Sequence, residues 1–247
     1  MKTIFYALVL FSMVCIAVSA QSSEDDLFKD NTSGTLQIDG DIYQVEWMAR
    51  EIFDETWLDR WAVEGDSLVK IEKNKLFIGR RENKHLNTAA IWYRPDLPSD
   101  VIVRFRAKPL PPEENNACNL NLFLHAREMD GSELRFGRSG VYKEYHQIPN
   151  YIITFVGGRA PGWSRLRKNP GFNMLHESEI KSEVNREYLI TVTSYKGRIR
   201  YYIDGSKRHD YQDKEPLAAG KFGIRAWSTT GYWHQVEFGK IISDYIK

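Results

Sequence analysis

The sequence has little cysteine: two residues in 247, Cys15 and Cys118. Cys15 lies in a segment that resembles a cleaved export signal, because Lys2 precedes a mostly apolar run, Ile4–Val18, and small residues follow. Removal of residues 1–20 leaves Cys118 as the single cysteine. This excludes an internal disulfide and a multi-cysteine zinc site. We therefore expect a periplasmic or secreted protein with a cleaved signal peptide.

The sequence also lacks an excess of charge of either sign. It contains 34 basic and 33 acidic residues, and the predicted signal removes one basic residue, Lys2. A neutral protein lacks the positive field that drives binding to phosphate backbones, which argues against a nucleic-acid partner. No second long apolar run follows the signal, so we expect no membrane partner. The oligomeric state stays open.

The apolar residues alternate with polar ones in short runs that end at Gly, Pro, Asn or Asp. A period of two is typical of half-buried strands, so we predict an all-β protein of two antiparallel sheets. Residues 21–33 are polar and have little to bury, which predicts a flexible lead. No repeat or linker interrupts residues 34–247, so these are predicted to form a single domain.

Two predicted strands have one apolar and one polar face. In residues 119–126 we expect the leucines and Ala126 to face the core, and the opposite face to carry Asn119, Asn121, Phe123 and His125. In residues 221–227 we expect Phe222, Ile224 and Ala226 to point inward, with Arg225 and Trp227 outward. Between them, tight turns at 196–197 and 204–205 predict a β-meander.

The middle of the chain concentrates polar chemistry. Residues 141–146 are predicted to form a strand that pairs with residues 150–156 as a hairpin. This hairpin would cluster Glu144, His146, Asn150 and Tyr151. Residues 157–172 then form a predicted Gly- and Pro-rich loop. Its candidate clamp for an acidic sugar consists of Arg159, Arg165, Arg167 and Lys168, with Trp163 as a stacking platform.

Several of these residues belong to motifs that resemble known families. The C-terminal run from Tyr202 to Trp227 resembles the closing strands of concanavalin A-like jelly-roll sandwiches. A second set of motifs resembles the YesU-type family of bacterial proteins: Tyr145-His146, Pro149-Asn150-Tyr151, Thr154-Phe155, Trp163-Ser164-Arg165 and Arg167-Lys168-Asn169-Pro170-Gly171-Phe172. The resemblance spans Trp57 to Phe238 and implies a single jelly-roll catalytic domain in polysaccharide degradation. An ulvan-type oligosaccharide dehydratase is a close candidate.

These residues suit β-elimination from a uronate. The reaction needs cations or amides that neutralise the carboxylate, a base that removes the C5 proton, and an acid that protonates the leaving oxygen at C4. We predict His146, Tyr151 and His125 as catalytic residues. The predicted substrate-binding residues are Asn150, Glu144, Arg159, Trp163, Arg165, Arg167, Lys168, Arg225 and Trp227. The expected partner is an acidic oligosaccharide or polysaccharide, and the expected product is unsaturated.

Two other functions stay open. A glycoside hydrolase would use Glu144 with a second carboxylate, although the usual Glu-x-Asp-x-x-Glu pattern is missing. A non-catalytic sugar-binding module would depend on Trp163, Trp227 and Trp233.

We expect no cofactor and no catalytic metal. The histidines at 125, 146 and 176 match no local zinc spacing, while the jelly-roll resemblance allows a structural calcium ion. His85, His209 and His234 are expected to be ordinary surface histidines.

Overall fold

The computed structural model describes residues 33–82, 84, 87–111, 118–158 and 161–246. The predicted signal, residues 21–32 of the predicted lead, His85 and Arg159 lie outside the described residues. Within these ranges no helix is long and apolar enough to cross a membrane.

The described strands form two antiparallel sheets, which confirms the predicted all-β class. The nine-stranded sheet contains β1 (Ser33–Ile38), β2 (Asp41–Glu51), β4 (Leu68–Glu72), β5 (Lys75–Gly79), β7 (Val101–Pro109), β12 (Tyr188–Tyr195), β13 (Arg198–Ile203), β14 (Ser206–Gln212) and β16 (Gly231–Ile246). Its main path runs β1-β2-β16-β7-β12-β13-β14, while β5 pairs with both β16 and β4.

The second sheet has seven strands and carries the candidate site. It contains β3 (Trp61–Gly65), β6 (Thr88–Tyr93), β8 (Asn121–Ala126), β9 (Asn150–Val156), β10 (Trp163–Asn169), β11 (Asn173–Ser178) and β15 (Lys221–Trp227). The strand order is β11-β10-β9-β8-β15-β6-β3. The short helices of the described chain are α1 (Trp57–Arg60) and α2 (Tyr142–Tyr145).

The main core lies between the sheets and follows the predicted alternation. Phe222, Ile224 and Ala226 of β15 are buried in it, as expected. The predicted meander is confirmed as β12-β13-β14. Both of its turns have positive φ at two successive residues, which suits the tightest hairpin turns. Trp233 is also fully buried in this core, so its predicted use as a sugar platform is wrong.

The opposite face of the seven-stranded sheet carries a second, smaller core. The rings of Trp92 and Phe123 stack with their centroids 4.8 Å apart, and the ring of Tyr145 from α2 packs on Phe123 at 5.0 Å. Gly223 lies between Trp92 and Phe123 in the strand register, and an added Cβ there would come within 2.6 Å of the Trp92 ring. Residues 127–149 therefore cover part of the outer face of this sheet, and they bury Leu134, Tyr145 and Ile148 against it.

The predicted alternation fails at the end of β8. His125 has φ 58°, and the pairing of β8 with β15 shifts register by one residue there. This is a β-bulge, which turns the following residue to the other face. Ala126 therefore packs in the second core with Phe123, and His125 lies 6.1 Å from the ring of Tyr151, a main-core residue.

Two further local predictions are wrong. Residues 142–145 form α2 rather than a strand. Residues 163–169 form β10 rather than a loop, and β10 pairs with β9 from Trp163 opposite Val156 to Asn169 opposite Asn150. Tertiary pairing outweighs the local Gly and Pro signals in this segment.

Two of the predicted surface histidines, His209 and His234, are buried. His209 accepts or donates a 2.8 Å hydrogen bond with the Ser164 hydroxyl, and its Nδ1 lies 2.8 Å from Nδ1 of His176. These contacts join β14 to β10 and β11, at one edge of the sandwich. His234 lies in β16 and is 2.8 Å from the Glu187 carboxylate. His209 therefore connects three strands, and His234 connects β16 to the loop that precedes β12.

Candidate functional site

The candidate site lies on the outer face of the seven-stranded sheet, beside the cover formed by residues 127–149. Arg225 of β15 and Arg167 of β10 project from this face, and Tyr142, His146 and Phe172 lie between them. Together these five residues form what we call the arginine–aromatic stack.

The stack is continuous from one arginine to the other. The Arg225 guanidinium carbon is 4.1 Å from the Tyr142 ring centroid, and the Tyr142 and His146 rings meet edge to face at 4.3 Å. His146 stacks on Phe172 at 3.9 Å, and the Arg167 guanidinium carbon is 4.4 Å from the Phe172 ring. The geometry places a histidine and a tyrosine between two cations.

Local sequence explains how α2 presents the two polar rings. Tyr142 and His146 are four residues apart, at the start of α2 and at its C-terminal cap, so they share one side of the helical turn. Asn150 holds the end of this segment: its Nδ2 donates to the carbonyl oxygens of Tyr145 and Ile148, both at 2.8 Å. The amide of Asn150 is thus a structural anchor for α2.

The same amide also connects the two sides of the stack. Asn169 Nδ2 donates to Asn150 Oδ1 at 3.0 Å, and Asn169 Oδ1 accepts from the backbone N–H of Phe172 at 2.9 Å. Asn150 is fully buried. The predicted substrate-binding role of Asn150 is therefore replaced by an indirect one, because its side chain positions the segments that carry His146 and Phe172.

Glu64 of β3 fixes α2 from the opposite side. Its Oε2 accepts from Trp92 Nε1 at 2.8 Å and from the Tyr145 hydroxyl at 2.7 Å. Its Oε1 accepts from the backbone N–H groups of Gly137 and Arg138, at 2.8 and 2.9 Å. A buried carboxylate with four donors stabilises this arrangement strongly.

The two arginines of the stack are buried cations. Arg225 is 2% exposed and Arg167 is 7% exposed. Neither forms an ion pair with any carboxylate in the part of the chain that the structure describes. Burial lowers the pKa of both guanidinium groups, although an arginine keeps its charge at any physiological pH. The site is therefore electropositive and suited to an anionic ligand.

The surroundings keep His146 and Tyr142 neutral. Burial, followed by the charges of Arg225 and Arg167, lowers the pKa of His146 to about 4. Burial raises the pKa of Tyr142 above its usual range, against the opposing effect of the same arginines. At neutral pH the stack thus offers an uncharged imidazole, which can accept a proton, next to a phenol that can donate one.

Several buried polar atoms of the stack have no hydrogen-bond partner among the described residues: Nε and Nη2 of Arg225, the Tyr142 hydroxyl and Nε2 of His146. Buried polar groups in folded proteins are nearly always hydrogen-bonded. Unpartnered donors and acceptors therefore cluster at the stack, which makes it a candidate binding site.

The structure separates two predicted catalytic residues from this site. Tyr151 faces the main core, where its hydroxyl donates to Asp213 Oδ2 at 2.5 Å and accepts from the backbone N–H of Leu217 at 3.1 Å. Burial raises the pKa of Tyr151 far above its usual range. His125 contacts Tyr151 on that same face. The β-bulge in β8 and the alternation of β9 explain both placements, since each turns the side chain inward.

Three predicted substrate-binding residues are already engaged within the protein. Lys168 pairs with Asp213 at 2.9 Å, beside Tyr151. Arg165 forms an ion pair with Glu177 and lies 4.3 Å from the Trp163 ring. Glu144 accepts hydrogen bonds from the backbone N–H and the hydroxyl of Ser139.

The remaining predicted residues that the structure describes lie on or near the outer face. Arg225 and Arg167 belong to the stack, and His146 lies at its centre. Trp227 and Trp163 lie at the same end of the sheet, and Trp227 is 40% exposed. Sequence reasoning missed Tyr142, Phe172 and Glu64 as site residues. The spacing of Tyr142 and His146 carries a helical signal for the first of these, whereas the contacts of Phe172 and Glu64 are tertiary.

No metal cluster of three or more histidine, cysteine or carboxylate side chains occurs among the described residues. His176 pairs with His209.

Comparison with known proteins identifies the family. A family model described as a domain of unknown function, DUF6250, matches residues 84–234. The chain belongs to the DUF6250 family. This match includes every residue of the arginine–aromatic stack. No curated protein matches the sequence.

Solved structures show the fold. A protein of unknown function with a galectin-like fold from Bacillus subtilis has a TM-score of 0.70 at 18% identity, over 81% of this chain and 98% of that one. The carbohydrate-binding module CBM66 from Bacillus subtilis has a TM-score of 0.51 at 16% identity, over 72% and 93% of the two chains. An endo-β-1,3-glucanase from Pyrococcus furiosus has a TM-score of 0.57 at 12% identity, over 86% and 100%. The predicted concanavalin A-like jelly-roll sandwich is confirmed.

Proposed function

We propose that this protein is a secreted carbon–oxygen lyase that performs β-elimination on uronate-containing oligosaccharides. The observation that carries the proposal is the pair of buried arginines, Arg225 and Arg167, without a carboxylate partner in the described structure. A uronate carboxylate would neutralise this charge. The neutral His146 and Tyr142 between the arginines supply the base and the acid of the reaction.

The proposed step is balanced without a cofactor. His146 removes the proton from C5 of the uronate, and the arginines stabilise the negative charge that develops on the carboxylate. The electron pair forms a double bond between C4 and C5 while the C4–O bond breaks. Tyr142 donates its proton to the leaving oxygen. His146 then releases its proton to solvent and the Tyr142 phenolate takes one up, so both side chains return to their starting states. The enzyme is an oligosaccharide dehydratase if the leaving group is water, and a polysaccharide lyase if the leaving group is a sugar.

The comparisons are consistent with a saccharide substrate. One structural neighbour is a carbohydrate-binding module and another is a glucanase. The motif resemblance to the YesU-type family and to ulvan-type dehydratases supports an acidic sugar in polysaccharide degradation. The predicted export signal supports a periplasmic or secreted location, where such substrates occur.

The carboxylates near the site favour elimination over hydrolysis. A glycoside hydrolase needs two carboxyl groups directed at one bond. Glu64 already accepts four hydrogen bonds, and Glu144 is bound to Ser139. Neither carboxylate is available in this arrangement.

The test is ultraviolet absorbance at the conjugated-alkene band during incubation of residues 21–247 with uronate oligosaccharides, followed by mass analysis. We expect absorbance to rise in the wild type. His146→Ala and Arg225→Gln should abolish the rise while their circular dichroism spectra stay native. The control Arg198→Gln removes an arginine that pairs with Asp210 on the other sheet, and it should keep full activity.

Other outcomes would overturn the proposal. Chain cleavage without the absorbance band would show a hydrolase. Saccharide binding with no product would show a binding module. Full activity of His146→Ala would remove this residue from the mechanism.

A further inference from the structure

We infer that a second sugar ring binds beside the arginine–aromatic stack, over a row of polar side chains that crosses the seven-stranded sheet. We call Asn119, Asn121 and Thr154 the polar row. The inference rests on the proposed function for its place in the reaction. It makes the substrate an oligosaccharide of at least two residues rather than a single uronic acid.

The strand register makes the polar row continuous with the stack. Asn121 lies opposite Arg225 in the pairing of β8 with β15. Leu122 lies opposite Ile153, which makes Asn121 and Thr154 neighbours across β8 and β9. Thr154 in turn lies opposite Arg165 on β10. With strands about 4.8 Å apart, this line from Arg225 to Arg165 spans roughly 14 Å of one face.

All three members of the polar row have a buried side-chain atom that lacks a hydrogen-bond partner among the described residues. These atoms are Oδ1 of Asn119, Oδ1 of Asn121 and Oγ1 of Thr154. Each residue is at least nine-tenths buried. A buried polar atom without a hydrogen-bond partner lowers the stability of the fold. Because three such atoms lie in one patch, a single ligand could satisfy all of them.

The hydrogen-bonding properties of these atoms favour a ligand with neutral hydroxyl groups. Amide oxygens accept hydrogen bonds only, and the threonine hydroxyl can both donate and accept. A ligand that satisfies all three must present several donors and at least one acceptor. Sugar hydroxyl groups do this, whereas a carboxylate cannot donate to either asparagine oxygen. The polar row therefore complements the neutral part of the substrate, and the arginines complement its acidic part.

Tryptophans border the polar row at one end of the sheet. Trp227 follows Arg225 by two residues on β15, so both lie on the outer face. Trp163 lies opposite Val156, two residues beyond Thr154 on β9. Asn119 Nδ2 also reaches the Trp227 carbonyl oxygen at 3.5 Å. Indole rings pack well against the apolar faces of sugar rings, so they suit the flanks of a saccharide subsite.

The test compares two ligands in a protein that cannot turn them over. In the His146→Ala background, calorimetric titration would use glucuronic acid and a disaccharide of glucuronic acid linked to a neutral hexose. We expect the disaccharide to bind about tenfold more tightly, equivalent to about 1.4 kcal/mol. Adding Thr154→Val should remove most of this gain and leave the affinity for glucuronic acid unchanged.

Thermal stability separates a binding role from a structural one. Thr154→Val removes an unpartnered hydroxyl, so Tm should stay the same or rise. The matched control is Thr193→Val on the other sheet, where the hydroxyl contacts the Tyr43 hydroxyl at 3.3 Å. It should lower Tm and leave both affinities unchanged.

The two proposals fail in different ways. Equal affinity for the two ligands, or a Thr154→Val variant that loses Tm and keeps its affinity, would overturn the subsite. Preferential binding of the disaccharide without any alkene product from the wild type would overturn the elimination and leave the subsite in place.

Discussion

Acidification should destabilise the protein through His125, a histidine that the sequence suggested as catalytic and the structure places in the core. Its ring is fully buried, and neither ring nitrogen has a hydrogen-bond partner among the described residues. Burial, followed by the charge of Arg127, lowers the pKa of His125 to about 4 from an ordinary 6.5. The unfolded chain therefore binds a proton at a higher pH than the folded chain does.

The size of the effect follows from this difference in pKa. The stabilising contribution is fully present above pH 6.5 and is lost progressively as the pH falls toward 4. Between pH 7 and pH 5 the loss from His125 is about 2 kcal/mol of unfolding free energy. For a domain of this size that corresponds to a Tm lower by roughly 4 to 8 °C.

Urea unfolding followed by tryptophan fluorescence at pH 7, 6 and 5 measures this loss. The comparison is His125→Asn, because asparagine tolerates the positive φ at this position and does not titrate. The variant carries a constant cost from the smaller side chain, so the relevant quantity is the slope with pH. Between pH 7 and pH 5, the unfolding free energy of the variant should fall by about 2 kcal/mol less than that of the wild type. Parallel stability curves for the two proteins would refute the argument.

Three further outcomes are expected. The pKa of His146 is about 4 in the wild type. It should rise in Arg225→Gln, because a neighbouring cation is removed, and a nuclear magnetic resonance titration measures the change. An unchanged value would contradict the electrostatic account. Glu64→Gln should lower the unfolding free energy by about 3 kcal/mol in chemical denaturation, because an amide cannot accept all four hydrogen bonds; wild-type stability would show that this anchor is dispensable. Tyr151→Phe should lose about 1 kcal/mol with its bond to Asp213 and keep the elimination activity, and loss of turnover without unfolding would return Tyr151 to the mechanism.

The two sheets could be predicted from the sequence, whereas the geometry of the candidate site could not. Alternation along 221–227 placed Arg225 on the outer face correctly, because a strand with no bulge keeps its period of two. The same reasoning failed for His125, since one extra residue in β8 reverses the side-chain direction. No local sequence pattern predicts that bulge.

The segment that carries His146 shows a second limit. Its alternating polar and apolar residues are compatible with a strand, yet residues 142–145 turn into α2. The turn depends on partners distant in sequence: Glu64 binds the Tyr145 hydroxyl, and Asn169 binds Asn150. Contacts across 81 and 19 residues lie outside any local window. The chemistry of the site was therefore predictable as residue types, and its geometry was not.

The second core makes the seven-stranded sheet the middle layer of three where residues 127–149 cover it. Along β9, and along β8 as far as the bulge at His125, every other side chain faces the sandwich core and the residues between them face the outer layer. Substitutions at inner positions thus change the packing of the sandwich core, and substitutions at outer positions change the outer layer. The outer positions can diverge to accept other ligands while the inner positions preserve the sandwich, so one fold can change its specificity without rebuilding its interior.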